Sequence, residues 1–295
     1  MTLHTFNQLD QATATAHLYN CCACLQWVDE LMLHFPFESE EALIAHATQI
    51  WYYHCTETDW LTAFTHHPKI GDVESLKQKF ATTQHLASAE QAGVNEATNQ
   101  TIHALADANN AYEQKFGFIF IVCATGKTAN EMLQLLQSRL ENNYNDELHI
   151  AMGEQHKISI IRLKKILNNA NWQCLLVSQI TTHILDTTLG KPAANVIIKL
   201  QQKQLTNSLT KQQQWLTIAQ GSTNTDGRIA DLLPQNRLLP LGIYKMVFDT
   251  DAYFLNSQTK HFYPQVEIQF NLPDNQHYHV PLLLNPFGYA TYRGS

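Results

Sequence analysis

Along the first half of the chain apolar residues return every three or four positions, in AHLYNCCACLQWVDELMLHF (16–35), EALIAHATQIWYYH (41–54) and EMLQLLQSRLENNYNDELHIAMGEQHKISIIRLKKIL (131–167). That period puts the apolar side chains on one face of a helix, so residues 11 to about 167 are predicted to be helical. Phe35-Pro36-Phe37, His67-Pro68-Lys69-Ile70-Gly71 and Phe116-Gly117-Phe118 interrupt the pattern with Pro or Gly and are read as breaks. After NNANWQ the texture changes to short alternating runs rich in β-branched residues: LLVSQITTHIL, ANVIIKLQQ, WLTIAQGSTN, YKMVFDT, QVEIQFN and HYHVPLLL. Gly, Asn or Pro separates them, which predicts strands of a sandwich or barrel. The Gln-rich LQQKQLTNSLTKQQQ reads as a solvated hairpin loop, and no internal repeat is visible.

The expected organisation is therefore multidomain α and β: an all-α helical domain over 1–167, an Asn-rich linker at 168–173, and an all-β sandwich over 174–295. A length of 295 residues suits two domains, and a hydrophobic fraction of 44% with 15% charged residues gives each half enough apolar material for a core. The net charge of -7 supplies no basic footprint for nucleic acid. The N-terminus lacks a basic-then-apolar leader, and no run approaches the roughly 20 apolar residues of a membrane span. A cytoplasmic protein acting on small molecules is expected. Cys21, Cys22 and Cys24 crowd together while Cys55, Cys123 and Cys174 stand apart, which is no disulfide framework. The Cys21-x-x-Cys24 spacing falls inside a helical pattern and is read as small core residues, not a zinc or redox site.

Two clusters carry candidate chemistry in the helical half. His66 and His67 stand directly before Pro68, either as turn-capping residues or as imidazoles aimed into a cleft, where a His can give and take a proton near neutrality. Ala87-Ser88-Ala89-Glu90-Gln91 supplies a carboxylate and an amide, and by itself also reads as a helix cap. In the β half, His277 and His279 share one strand face. With His183 they offer a three-His zinc site as one reading, and a polar strand face as another.

The combination is more specific than its parts. Trp60-x-x-Ala63-Phe64-x-x-His67-Pro68-x-Ile70-Gly71, then Ser88-x-Glu90-Gln91-Ala92-Gly93, then Asn109-x-x-Tyr112-x-x-Lys115-Phe116-Gly117-Phe118-x-Phe120-Ile121-Val122-Cys123-Ala124 resembles the 2-oxo-4-hydroxy-4-carboxy-5-ureidoimidazoline (OHCU) decarboxylases over residues 5 to 167. The resemblance implies an all-helical, cofactor-free enzyme that makes (S)-allantoin and carbon dioxide. It places the catalytic His at His67 and its partner carboxylate at Glu90. Substrate contacts fall on Pro68, Ala87, Ser88 and Gln91, and on Phe120, Ile121, Val122, Cys123 and Ala124 through main-chain N–H groups. Ile119 stands where many members have Pro, and Lys69 where many have Arg.

From about residue 174 onward, Ile180-Thr181-Thr182-His183-Ile184-Leu185-Asp186-x-x-x-Gly190-Lys191-Pro192-Ala193, Thr225-Asp226-Gly227-Arg228-Ile229, His279-Val280-Pro281-Leu282-Leu283-Leu284 and Tyr292-Arg293-Gly294-Ser295 resemble the transthyretin-like 5-hydroxyisourate hydrolases. The terminal YRGS separates these enzymes from transthyretin. The resemblance implies a transthyretin-like sandwich with catalytic His183, Arg228 and His279, Tyr292 and Ser295 lining the site, and no metal. His277 becomes a structural neighbour, and Asp186, three residues beyond His183, is a candidate to orient it. Asn285 and Ala290 replace Ser residues common in the family. Hydrolysis of a strained ring amide needs a base for water and a cation for the developing oxyanion, which two His and one Arg can supply. The two halves would then act in sequence, on 5-hydroxyisourate and then on OHCU, within a symmetric homo-oligomer, a dimer or a tetramer. A metal-dependent cyclic amidohydrolase and a non-catalytic carrier are the competing readings.

Overall fold

A computed structural model of the chain describes residues 1–67, 91–124, 127–167, 178–205, 213–229, 231–234 and 237–294, with only the main chain at 91–99, 205 and 213. The linker expected at 168–173 lies outside the described residues. The chain divides into two compact units, the first helical and the second built on strands.

The helical unit contains α1 (Leu3–Phe6), α2 (Gln11–Cys21), α3 (Leu25–Met32), α4 (Glu40–Tyr53), α5 (Glu57–Thr65), α6 (Gln91–Phe116), α7 (Ala129–Leu140) and α8 (Tyr144–Ile166). Polar residues that begin the apolar repeats also begin the helices. Asp10, Ser39, Thr128 and Asn143 each accept a first-turn N–H with the side chain, and Thr56 and Thr128 form capping boxes with Asp59 and Glu131. Each cap satisfies donors that have no partner within the helix. The core gathers Phe6, Leu18, Trp27, Leu31, Leu43, Trp51 and Phe64, all buried. The Trp27 indole N–H donates to the Ala47 carbonyl at 2.8 Å, so its one polar atom is satisfied inside the core.

Two helix boundaries depart from the sequence reading. The run 16–35 is not one helix: Cys21 ends α2, and Cys24 is the N-cap of α3, its thiol accepting the Trp27 N–H at 3.4 Å. The C-x-x-C spacing thus bridges two helices, and Cys24 lies 4.0 Å from Cys55 sulfur to sulfur, both thiols free and buried. The run 131–167 likewise splits at Glu141–Asn143, where Asn143 starts α8. Neither break carries Gly or Pro, so periodicity alone runs straight through them. The expected break at 116–118 is present, α6 ending at Phe116 before Gly117 with φ +74°.

The second unit has strands β1 (Ile180–Thr181), β2 (Ile184–Asp186), β3 (Lys191–Pro192), β4 (Ile197–Leu205), β5 (Gln213–Ser222), β6 (Gly242–Asp249), β7 (Gln265–Leu272), β8 (Tyr278–His279), β9 (Leu282–Asn285) and β10 (Gly288–Thr291). They form two four-stranded sheets, in the orders β10-β9-β2-β3 and β5-β4-β6-β7, and a short parallel pair, β1-β8. Ile184, Leu282 and Leu284 of one sheet share a core with Ile198, Leu200, Tyr244, Met246, Phe248 and Val266 of the other. That is the sandwich predicted from the alternating runs. It is not purely β, since a helix, α9 (Thr250–Asn256), follows β6, capped by Asp249. The described ends of the Gln-rich stretch are strand, in β4 and β5, while 206–212 lie outside the described residues. Gln201, Gln202 and Gln204 lie in β4, paired antiparallel with Thr217, Leu216 and Gln214 of β5.

Candidate active sites

In the helical unit His67 lies just beyond the C-terminal end of α5, where the His66 N–H still bonds the Ala63 carbonyl and the His67 N–H bonds that of Phe64. The His67 Nε2 meets the Gln155 Oε1 of α8 at 2.5 Å. The neighbours of that amide agree with its orientation: Ser159 donates its hydroxyl to the Gln155 main-chain carbonyl and accepts from the Gln155 Nε2, 3.2 Å away. With the Gln155 oxygen facing His67, the His67 Nε2 carries a proton. His66 does not share this position; its ring contacts the Thr62 carbonyl and Tyr19 on the exposed side.

Residues 118–124 run as irregular chain, with Phe120, Ile121, Val122 and Cys123 buried. Two side chains hold the segment. Arg139 of α7 donates to the Ile121 carbonyl at 2.8 Å, and Glu154 of α8 accepts the Cys123 N–H at 2.6 Å. Arg139 is itself locked to Glu147, with both side chains essentially inaccessible (2% and 0% exposed). Tyr112 and Asn142 also donate to that carboxylate, and the guanidinium lies 4.6 Å over the Phe120 ring. Burial above all pushes the Tyr112 phenol well above its ordinary value, so it stays a donor. Of the expected main-chain donors, the Cys123 N–H is thus engaged by Glu154. Pro68, Ala87, Ser88 and Glu90 lie outside the described residues; Gln91 opens α6, and its side chain is likewise outside them.

In the β unit the topology assembles the second set. Parallel pairing of β1 with β8 puts Thr181 opposite His279, and an antiparallel bridge pairs His183 with Arg228. The Leu282 N–H bonds the His183 carbonyl, which fastens the two histidine-bearing segments to each other. Two glycines make the approach possible. Gly227 has φ +67°, and an added Cβ would stand 2.4 Å from the Ile184 carbonyl oxygen. Gly294 bonds its N–H to the His279 carbonyl, and a Cβ there would meet the His279 ring carbon Cδ2 at 2.5 Å. Both positions require a residue without a side chain.

The electrostatics favour neutral imidazoles. Burial first, then the Arg228 guanidinium, lowers the pKa of both His183 and His279, and the His277 and His183 rings depress His279 further. The His183 Nε2 is buried and meets no hydrogen-bond partner among the described residues. The His279 Nδ1 lies 2.9 Å from the Thr181 hydroxyl, which is also 3.2 Å from the His277 Nε2. Asp186 does not orient His183. Its carboxylate accepts the Thr188 and Leu189 N–H groups and the Tyr253 hydroxyl, because three residues along an extended chain reverse the direction of the side chain. Tyr292 is exposed, and Arg293 next to it lies over the Tyr278 ring at 5.1 Å. Ser295 is outside the described residues. Gln155, Thr181 and the steric roles of Gly227 and Gly294 were not legible as site residues; Gln155 is separated from His67 by 88 positions and carries no local motif.

A helical unit with a part-buried His–Gln pair, followed by a sandwich that joins two His and one Arg, defines a two-site architecture. The OHCU decarboxylase family model matches residues 7–164, and the HIUase/transthyretin family model matches 180–294. A uric acid degradation bifunctional protein from Arabidopsis thaliana is 31% identical over 93% of this chain and 96% of its own. Mouse 5-hydroxyisourate hydrolase is 41% identical over 40% of this chain and 96% of its own. A transthyretin structure from Sparus aurata covers 39% of this chain and 96% of its own at 33% identity, with a TM-score of 0.36. The chain belongs to the OHCU decarboxylase family, in the bifunctional form that continues into a HIUase/transthyretin domain.

Proposed function

We propose that the chain is a bifunctional enzyme of urate degradation, in which residues 174–295 hydrolyse 5-hydroxyisourate to OHCU and residues 1–167 decarboxylate OHCU to (S)-allantoin. The observation that carries this reading is the likeness to the Arabidopsis bifunctional protein across 93% of the chain. In the hydrolase unit a neutral His takes a proton from water, whose oxygen attacks the ring carbonyl. The carbon–nitrogen bond then breaks, and the leaving nitrogen takes the proton back. His279 is assigned as the base, His183 as the partner in proton transfer, and Arg228 as the cation facing the oxyanion. Their support is the depressed pKa of both imidazoles and the backbone bridge of His183 with Arg228.

In the decarboxylase unit the carbon–carbon bond to the carboxylate breaks, and the electron pair is delocalised into the imidazoline ring. His67 then protonates the carbon on one face, with Glu90 polarising the substrate hydroxyl or ureido group. The buried segment 120–124, with Pro68, Ala87, Ser88 and Gln91, forms the surroundings of the ring, and Tyr292 and Ser295 those of the hydrolase substrate. A homo-oligomer, dimer or tetramer, is part of the proposal and is read by light scattering. A cytoplasmic setting is supported by five free, buried thiols.

The test mixes the protein with urate and urate oxidase and follows absorbance and optical activity. The wild type should speed both decays and yield (S)-allantoin. His67→Ala should clear hydroxyisourate at the wild-type rate yet leave allantoin racemic, whereas His279→Gln should do the reverse. A non-catalytic carrier would speed neither decay, and hydrolysis lost to a chelator and restored by zinc would replace the assignment with a metal-dependent one.

A further inference from the structure

The assignment of His279 as the base leaves open which ring nitrogen does the work, and the β1–β8 pair contains the answer. His277 Nδ1 lies 2.9 Å from the Ser178 main-chain carbonyl, which only accepts, so that nitrogen carries a proton. In neutral His277 the other nitrogen, Nε2, is then an acceptor, and the group beside it is the Thr181 hydroxyl. With its single hydrogen directed to His277, Thr181 can only accept from the His279 Nδ1, 2.9 Å away. His279 therefore holds its proton on Nδ1 and its lone pair on Nε2. The register of the two strands puts Thr181 opposite His279, and Ser178 and His277 stand just ahead of those strands in the chain.

We propose that Thr181 and His277 are positioning residues for hydrolysis, a relay from the Ser178 carbonyl through His277 and Thr181 that holds His279 in the one tautomer able to accept a proton at Nε2. The proposal deepens the hydrolase reading and rests on His279 as its base. Without the relay an imidazole distributes its proton between both nitrogens, and the ring turns more freely, so that part of the population presents an N–H where a lone pair is needed. Loss of His277 acts in the same direction, since it frees the Thr181 hydrogen to point at Nδ1.

Four full-length variants test it, each followed by hydrolysis kinetics and by ¹⁵N NMR of histidine-labelled protein, which distinguishes protonated from bare ring nitrogens. Thr181→Val should lower kcat about tenfold with KM changed by less than about twofold, and should move the His279 signals from Nδ1–H toward a mixture of tautomers. Thr181→Ser, which keeps the hydroxyl, should restore both rate and signals. His277→Phe should resemble Thr181→Val, which keeps the test alive if the valine variant fails to fold. OHCU decarboxylation by the same chains, expected unchanged, reports intact protein. Wild-type kcat in Thr181→Val and His277→Phe, or a lower kcat with the Nδ1–H signature intact, overturns the relay. Wild-type hydrolysis in His279→Gln overturns the base assignment instead.

Discussion

A methyl group added at Gly294 would press into the His279 ring, and one added at Gly227 would press into the main chain of β2. The consequences differ. At Gly294 the neighbour is a side chain, so Gly294→Ala should displace the ring and reduce hydrolysis by about tenfold or more while leaving unfolding nearly unchanged, as steady-state kinetics and thermal melts would show together. At Gly227 the neighbour is backbone and φ is positive, so Gly227→Ala should cost about 1–3 kcal/mol in denaturant unfolding. The two depressed imidazoles predict a pH profile. A His whose folded pKa lies below its ordinary 6.5 stays neutral, and competent as a base, further into acid. Hydrolytic kcat/KM should therefore be flat from pH 8 down to about 6.5 and fall only below it. The folded state binds these protons less readily than the unfolded chain, so stability is also full above about 6.5 and declines as pH falls through it. His183, Arg228 and His279 could be named from sequence because each sits in a distinctive local string. Gln155 and Thr181 could not, because a Gln on a helix and a Thr on a strand look like thousands of others until the fold puts them beside an imidazole.

Helices α7 and α8 hold the segment 118–124 through Arg139, Glu147 and Glu154 rather than through apolar packing alone. A buried ion pair of this kind is costly to break from one side, because the remaining charge has no water to turn to. Arg139→Leu should lower stability by about 3–5 kcal/mol in urea unfolding, and should impair decarboxylation by releasing the Ile121 carbonyl. Periodicity revealed the helices but not where α3 or α8 begins, since those boundaries are set by a cysteine thiol and an asparagine amide acting as caps. Alternation likewise revealed β4 and β5 but not their extent. Strings of Gln look like loop, yet in β4 the backbone pairs normally and the Gln201 amide finds a partner in the Thr217 hydroxyl of β5. The short helix α9 was missed for a related reason: seven residues are too few to establish a period.

For the molecule as a whole, each proposed set of catalytic residues is drawn from one half of the sequence, His67 with Glu90 and His183 with Arg228 and His279. A mixture of His67→Ala and His279→Gln proteins should therefore restore (S)-allantoin production from hydroxyisourate, the intermediate passing through solution, as circular dichroism would record. Restoration should become less complete as the mixture is diluted, because OHCU decays while it searches for the second site. The change of texture near residue 168 was enough to foresee two units, and no single residue contact was needed for that. The relay through Thr181 has a consequence for how such chains diverge. Position 181 can lose its hydroxyl only if His277 loses its purpose as well, so the two positions are bound to change as a pair. Among descendants of a common ancestor, lineages that keep hydrolysis should keep Thr or Ser at 181 together with His at 277, and lineages that became carriers should be free to lose both.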